Sequence, residues 1–147
     1  MEKIKISFPA HIQFETELNV RISDLNYGAH VGNNVFLEFA HEARVQFLNH
    51  LGCRGEIDLG EGAGIIMVDA AVVYKAEVFH PTVLIVQIAA DHVSERSFDL
   101  YYRFLIKKDM REAALIKTGI VCFDYQKRRP ANLPAIIKQK LENTVSD

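Results

Sequence analysis

A chain of 147 residues, 49% apolar and 24% charged, has the size and balance of one globular domain, able to bury roughly 68–70% of its unfolded surface, and this argues against disorder. A formal charge of -2 supplies no general basic field, so nucleic acid is not an expected partner, and no apolar stretch approaches the ~20 residues of a membrane span. The opening Met-Glu-Lys-Ile-Lys-Ile-Ser lacks the long apolar region of a signal peptide, which makes the cytoplasm the expected location.

Residues 11 to 23 alternate with a period of two, placing Ile12, Phe14, Thr16, Leu18, Val20 and Ile22 on one side of a half-buried strand. In the segment from Asp24 to Arg44, Gly28 and Gly32 permit close backbone approach or positive φ, and Asn33 or Asn34 can cap a helix. Phe36, Phe39, Ala40, Ala43, Phe47, Leu48 and Leu51 recur at helical spacing, which predicts a helix over Val35–Leu51. Such a helix is ~25 Å long. Gly52 stands where its C-terminal cap belongs.

Arg54 to Gly64, with four glycines and four charges, reads as a loop. Strand-forming runs follow at Ile65–Tyr74, Val83–His92, Ser97–Lys107 and Ala113–Tyr125, with a hairpin turn at Lys108–Glu112. Pro130 and Pro134 bracket the exit to a short terminal helix at Ala135–Asn143. One strand, one long helix and then four strands make a segregated α+β pattern, most economically packed as an antiparallel sheet wrapped around the helix in a single domain.

Chemistry-bearing side chains concentrate at residues 24 to 44. A helix N-terminus preceded by polar groups can receive developing negative charge. Glu38 and Glu42, four apart, share a helix face opposite the Phe36, Ala40, Ala43 and Phe47 stripe. That face reads either as a solvated surface or as one turned toward a cleft or partner. Asp24 can fix the turn by accepting the backbone amides of Asn26 or Tyr27. His30 can orient a substrate, or simply bond nearby backbone. Arg96 and the run Lys127-Arg-Arg129 suit phosphate oxygens, or are solvated surface. Cys53 and Cys122 have no metal-like spacing and no adjacent base, so both read as plain thiols, and no metal site is expected.

Asp24-x-Asn26-x-x-x-His30-Val31-x-Asn33, followed by Glu42-Ala43-Arg44, resembles the Asp-x-Asp-x-x-Gly-His-Val-Asn-Asn…Glu-Ala-Arg signature of the hotdog-fold thioesterases related to 4-hydroxybenzoyl-CoA thioesterase. Tyr74-Lys-Ala-Glu77, Ser94-Glu-Arg-Ser-Phe98 and Thr118-Gly-Ile-Val-Cys-Phe-Asp-Tyr125 are similar to the later family strands. The resemblance implies a five- or six-stranded antiparallel sheet curled around the helix, and hydrolysis of acyl-CoA thioesters without metal or redox cofactor. It also implies a homodimer or a tetramer of dimers, with the site at the subunit interface near the helix N-terminus. In one branch of the family a helix glutamate is the base, the role Glu42 would take here, with Asp24, Asn26 and His30 completing the catalytic set. Asn33, Asn34, Glu38 and Arg96 are the residues expected to meet substrate.

Three departures from the signature bear on mechanism. Asn26 replaces the second Asp and cannot act as a carboxylate; His80-Pro-Thr82 replaces the acid of Tyr-Gly-Asp; Ala29 and Gly32 replace a Gly and an Asn. Direct attack by water is therefore expected in place of an acyl-enzyme, because an amide is too poor a nucleophile. A hotdog hydratase or dehydratase acting on hydroxyacyl thioesters is a rival reading. A catalytically weak acyl-thioester binding protein is another.

Overall fold

The alternation at the start of the chain ends sooner than expected. Strand β1 covers Phe14–Asn19, with alternate side chains turned inward, and the chain then leaves the sheet through a single 3-10 turn at Ile22–Asp24. Ile22 is consequently 73% exposed and not part of the inward row. The computed structural model describes residues 1–143. Helix α1 is Val35–His50, followed by β2 (Ala63–Tyr74), β3 (Val83–Asp91), β4 (Ser97–Ile106), β5 (Arg111–Asp124), the two-residue β6 (Arg129–Pro130) and α2 (Ala135–Glu142). The 3-10 turn and β6 are unforeseen by the sequence; a proline-bearing pair of residues carries no strand periodicity.

The sheet runs β1-β3-β4-β5-β2, antiparallel throughout, with β6 beside β5. Phe36, Phe39, Ala40, Ala43, Phe47 and Leu48 of α1 are buried with Leu84, Val86 and Ile88 of β3 and Leu100, Tyr102 and Phe104 of β4, in one core between helix and sheet. Burying each large side chain contributes roughly 1.5–3 kcal/mol, which is why the stripe of α1 rather than its intrinsic propensity fixes the helix in place. This is the hotdog arrangement that the resemblance implies.

Both ends of α1 are instructive. At the C-terminal end, Gly52 adopts φ +97°, its amide donates to Asn49 O at 3.0 Å and the Cys53 amide donates to Leu48 O at 2.9 Å. These paired bonds satisfy two otherwise orphaned carbonyls and need a left-handed residue, so the predicted glycine stop is realised. Lys140 Nζ of α2 donates to Leu51 O at 2.7 Å, adding a cation at the negative end of the helix dipole. The N-terminal end is different. Asn34 sits at the cap position with helical φ -71° and ψ -25°, and its side chain makes no capping bond. Side-chain capping requires extended backbone there, so neither Asn34 nor Asn33 is the cap the sequence suggests.

Strand β2 closes one side of the sheet and its outer edge has no strand partner among the described residues. A bulge between Met67 and Asp69 pushes Val68 outward, and Asp69 Oδ1 accepts from the Gly119 amide and from Lys117 Nζ, each at 2.8 Å. At the opposite side, Gln13 joins three elements. Its Oε1 accepts from the Ala90 amide at 2.6 Å, and its Nε2 donates to Leu141 O and Asn143 O at 2.9 Å. Cys53 and Cys122 are buried free thiols, and burial pushes both upward in pKa, away from the reactive thiolate. Among the described residues, no helix is long and apolar enough to cross a membrane.

Candidate active site

The segment between the 3-10 turn and α1 is closed by its own backbone. Asn26 N donates to His30 O at 2.8 Å, Ala29 N to Asn26 O at 3.0 Å, Gly32 N to Asp24 O at 3.1 Å and Val31 N to Val78 O at 2.8 Å. The last bond ties the turn to the segment following β2. Ala29, standing at the family's Gly, takes φ +64°, a conformation that costs a residue bearing Cβ roughly 1–2 kcal/mol.

Asp24 fixes this turn, though through other partners than expected. Its carboxylate accepts from the Arg21 amide at 2.7 Å and from Arg21 Nη2 at 2.9 Å, not from Asn26 or Tyr27. Asp24 is 2% exposed. Burial by itself would raise its pKa, but the hydrogen bonds and charge of Arg21 outweigh it and hold the carboxyl below the usual range. That places Asp24 in a structural ion pair. Asn26 makes the Asx turn instead, its Oδ1 accepting from the Gly28 amide at 2.8 Å. A Cβ on Gly28 would lie 3.2 Å from Asn26 Oδ1 and 3.3 Å from His30 Nε2, so glycine lets both side chains close over the turn.

With no side-chain cap on α1, the amides of Asn33 and Asn34 have no hydrogen-bond partner among the described residues. Asn33 lines a cavity of about 280 Å³ together with His30, Phe36 and Tyr74, with Lys75 to Val78 along one wall. Tyr74 Oη donates to Asn33 O at 2.8 Å and its ring meets Phe36 edge-on at 5.9 Å, fastening the end of β2 to the start of α1. His30 is 29% exposed. Its Nδ1 lies 3.3 Å from Val31 O, its Nε2 lies 4.0 Å from Glu77 Oε1, and Phe79 flanks the ring edge-on at 6.3 Å.

The structure does not bring every candidate to this cavity. Glu38 and Glu42 line a second groove of about 360 Å³ with Leu18, Asn19, Arg21 and Phe39, and Glu42 Oε1 accepts from Gln46 Nε2 at 2.9 Å. The two grooves share no lining residue. Arg96 is exposed and donates from Nε to Asn132 Oδ1 at 2.9 Å, and Lys127 and Arg128 are exposed in the turn between β5 and β6. Conversely, Tyr74 and Glu77 reach the cavity although spacing assigned them no role. The signal was topological: only the antiparallel return of β2 brings its end against the start of α1.

A second polar cluster lies deeper. The buried Arg44 donates from Nη1 to Tyr102 Oη at 3.1 Å and from Nε to Glu56 Oε2 at 3.1 Å; Tyr102 Oη meets Thr118 Oγ1 at 2.9 Å, and Glu56 also meets His41 Nε2 at 2.6 Å. Burial would lower the pKa of Arg44, but Tyr102 and Glu56 more than compensate. The cluster locks the rotation of α1 against β4 and β5 and thereby sets where the helix start points.

A family model described as the thioesterase-like superfamily matches residues 20–141. The chain belongs to the thioesterase-like superfamily. Thioester hydrolysis is the activity that this membership assigns. Solved structures similar to this thioesterase-like chain include a 1,4-dihydroxy-2-naphthoyl-CoA thioesterase from Synechocystis, 23% identical, with 87% of this chain and 94% of that one covered and a TM-score of 0.78. A DHNA-CoA thioesterase from Staphylococcus aureus is 20% identical over 81% of this chain and 79% of its own, with a TM-score of 0.73. A gentisyl-coenzyme A thioesterase is 16% identical over 87% and 99%, with a TM-score of 0.75. At such identities these likenesses establish the fold. No curated protein matches the chain in sequence.

Proposed function

We propose that the chain hydrolyses an acyl-CoA thioester by direct attack of water at the start of α1. The observation that carries this reading is that Asn33, one of two adjacent residues whose amides have no partner among the described residues, lines a cavity that also holds His30. Such amides, aided by the helix dipole, receive the oxyanion that forms when the carbonyl is attacked. Asn26 holds the turn that carries His30 and supplies no nucleophile, so the acid leaves as free acid rather than through an acyl-enzyme. The aromatic walls, Phe36 and Tyr74, suit a compact ring-bearing acyl group, in keeping with the aromatic acyl-CoA named for the similar structures.

The test is release of free thiol from a panel of aromatic and straight-chain acyl-CoAs, with intact mass measured after rapid quench. We expect thiol release, fastest on aromatic substrates, from a chain of unmodified mass. Loss or addition of water without thiol release would support the hydratase reading, and binding alone the weak binder. Glu42→Gln belongs in the same assay. Retained activity keeps the chemistry at His30, the expected result, whereas a loss of ~10²–10⁴-fold would move the base to Glu42 and the β1–α1 groove.

We further propose a homodimer, or a tetramer of dimers, assembled along the open edge of β2, because a long edge strand with Val68 exposed is otherwise a template for indiscriminate pairing. The cytoplasm is the compartment consistent with two unpaired buried thiols. Sedimentation showing a stable monomer at micromolar concentration would overturn the assembly.

A further inference from the structure

Hydrolysis by water needs a base, and the carboxylate that many relatives carry in the turn is an amide here, Asn26. Glu42 opens on the other groove. Among the residues lining the cavity, His30 supplies the imidazole and Glu77 the carboxylate. We propose that these two act as one unit: His30 Nε2 is the base that deprotonates the attacking water, and Glu77 holds that water and balances the imidazolium that forms. The inference rests on the thioesterase reading above and assigns its missing proton acceptor.

The geometry carries the argument. His30 Nδ1, 3.3 Å from Val31 O, can point its hydrogen only to that carbonyl, which leaves the lone pair on Nε2. Nε2 then faces Glu77 Oε1 at 4.0 Å, too far for a direct bond and the right span for one water bonded to both at ~2.8 Å. A water so held gives one hydrogen to Nε2 and the other to the carboxylate, and its oxygen lone pairs are left to face the cavity.

The step balances without any further reagent. The water oxygen bonds to the thioester carbonyl carbon as its proton passes to Nε2, and the carbonyl electron pair moves onto oxygen at the Asn33 amide. When the carbonyl re-forms, the carbon–sulfur bond breaks with its electron pair on sulfur, and the Nε2 proton passes to the thiolate. Acid and free thiol leave, and the imidazole is neutral again. Glu77 stabilises the charged imidazole between the two proton transfers. At 68% exposure it lies open to solvent at the rim, where substrate covering the cavity would desolvate the pair.

The experiment compares His30→Ala, His30→Gln, Glu77→Ala and the double variant His30→Ala/Glu77→Ala in steady-state thiol release, with circular dichroism and thermal melting to establish folding. Removing the base should lower kcat by ~10²–10⁴-fold with little change in KM. Glu77→Ala should lower kcat about 10–100-fold, and the double variant should be no slower than His30→Ala, because members of one unit lose their effect together. Added imidazole should restore part of the His30→Ala rate, which a merely structural histidine would not allow. If His30→Ala does not fold, the smaller change His30→Gln carries the comparison. Multiplicative losses in the double variant, or a His30 variant keeping more than about a tenth of the rate, would overturn the pairing while leaving an active wild-type thioesterase. A wild-type chain that releases no thiol from any substrate would instead overturn the functional reading, and this inference with it.

Discussion

Replacing Arg44 by alanine should cost about 3 kcal/mol of stability, enough to lower the melting temperature by roughly 6–12 °C in a domain of this size. Arg44 is 94% shielded and sits on the inner side of α1 between two acceptors, Tyr102 Oη and Glu56 Oε2, each at 3.1 Å. Removing it leaves Glu56 with His41 alone and opens space beside the fully buried Tyr102. Tyr102 keeps Thr118, which limits the loss to less than a wholly orphaned network would suffer. Methionine at position 44 refills the volume without the charge and should recover part of the loss. Because the cluster lies two turns from the helix start, Arg44→Met should also reduce thiol release more than a surface change of equal stability cost. Thermal melts of both variants, with rates measured well below the transition, check this; an unchanged melting temperature for Arg44→Ala would show that the cluster contributes nothing net.

Phe36→Ala is expected to be as damaging to stability and to alter selectivity as well. Phe36 is buried and meets Phe39 at 6.0 Å, Tyr74 at 5.9 Å and Phe104 at 5.5 Å, all edge-on. Truncating a core phenylalanine costs about 3–5 kcal/mol, and each edge-on pair adds roughly 0.5–1.5 kcal/mol beyond area burial. Phe36 also lines the cavity at the start of α1, so its loss enlarges the space for the acyl group. Phe36→Leu keeps most of the core and isolates the second effect. In the acyl-CoA panel it should shift preference from ring-bearing toward longer flexible acyl groups, with a rise in KM for the former. An unaltered preference would place the acyl group elsewhere.

The elements were largely legible because their periodicities are clean. Seven apolar positions of α1 and the β-branched and aromatic runs of β2 to β5 announce which faces are buried, and Gly52 announces the helix stop. The site was less legible for two physical reasons. A helix wheel places Glu38 and Glu42 on an open face but cannot say which strand borders it, and here that is β1, with Arg21 close by, rather than the cavity beside His30. Local polar residues also choose among competing backbone partners that spacing does not rank. Asp24 takes Arg21, leaving the Asx turn to Asn26, and Asn34 adopts helical torsions that forgo a cap. Tyr74 and Glu77 become visible only when antiparallel pairing returns the end of β2 to the helix start.

The three-way joint at Gln13 has a consequence for how the chain is made. A side chain near the beginning is satisfied by an amide of β3 and by two carbonyls at the far end of α2, Leu141 and Asn143. Synthesis proceeds from the N-terminus at about 5–20 residues per second, so the first strand emerges several seconds before the last partners of Gln13. The strands can find their register before α2 has been made, but this seam stays open until the residues of α2 have emerged, so its closure comes late in the folding of the domain.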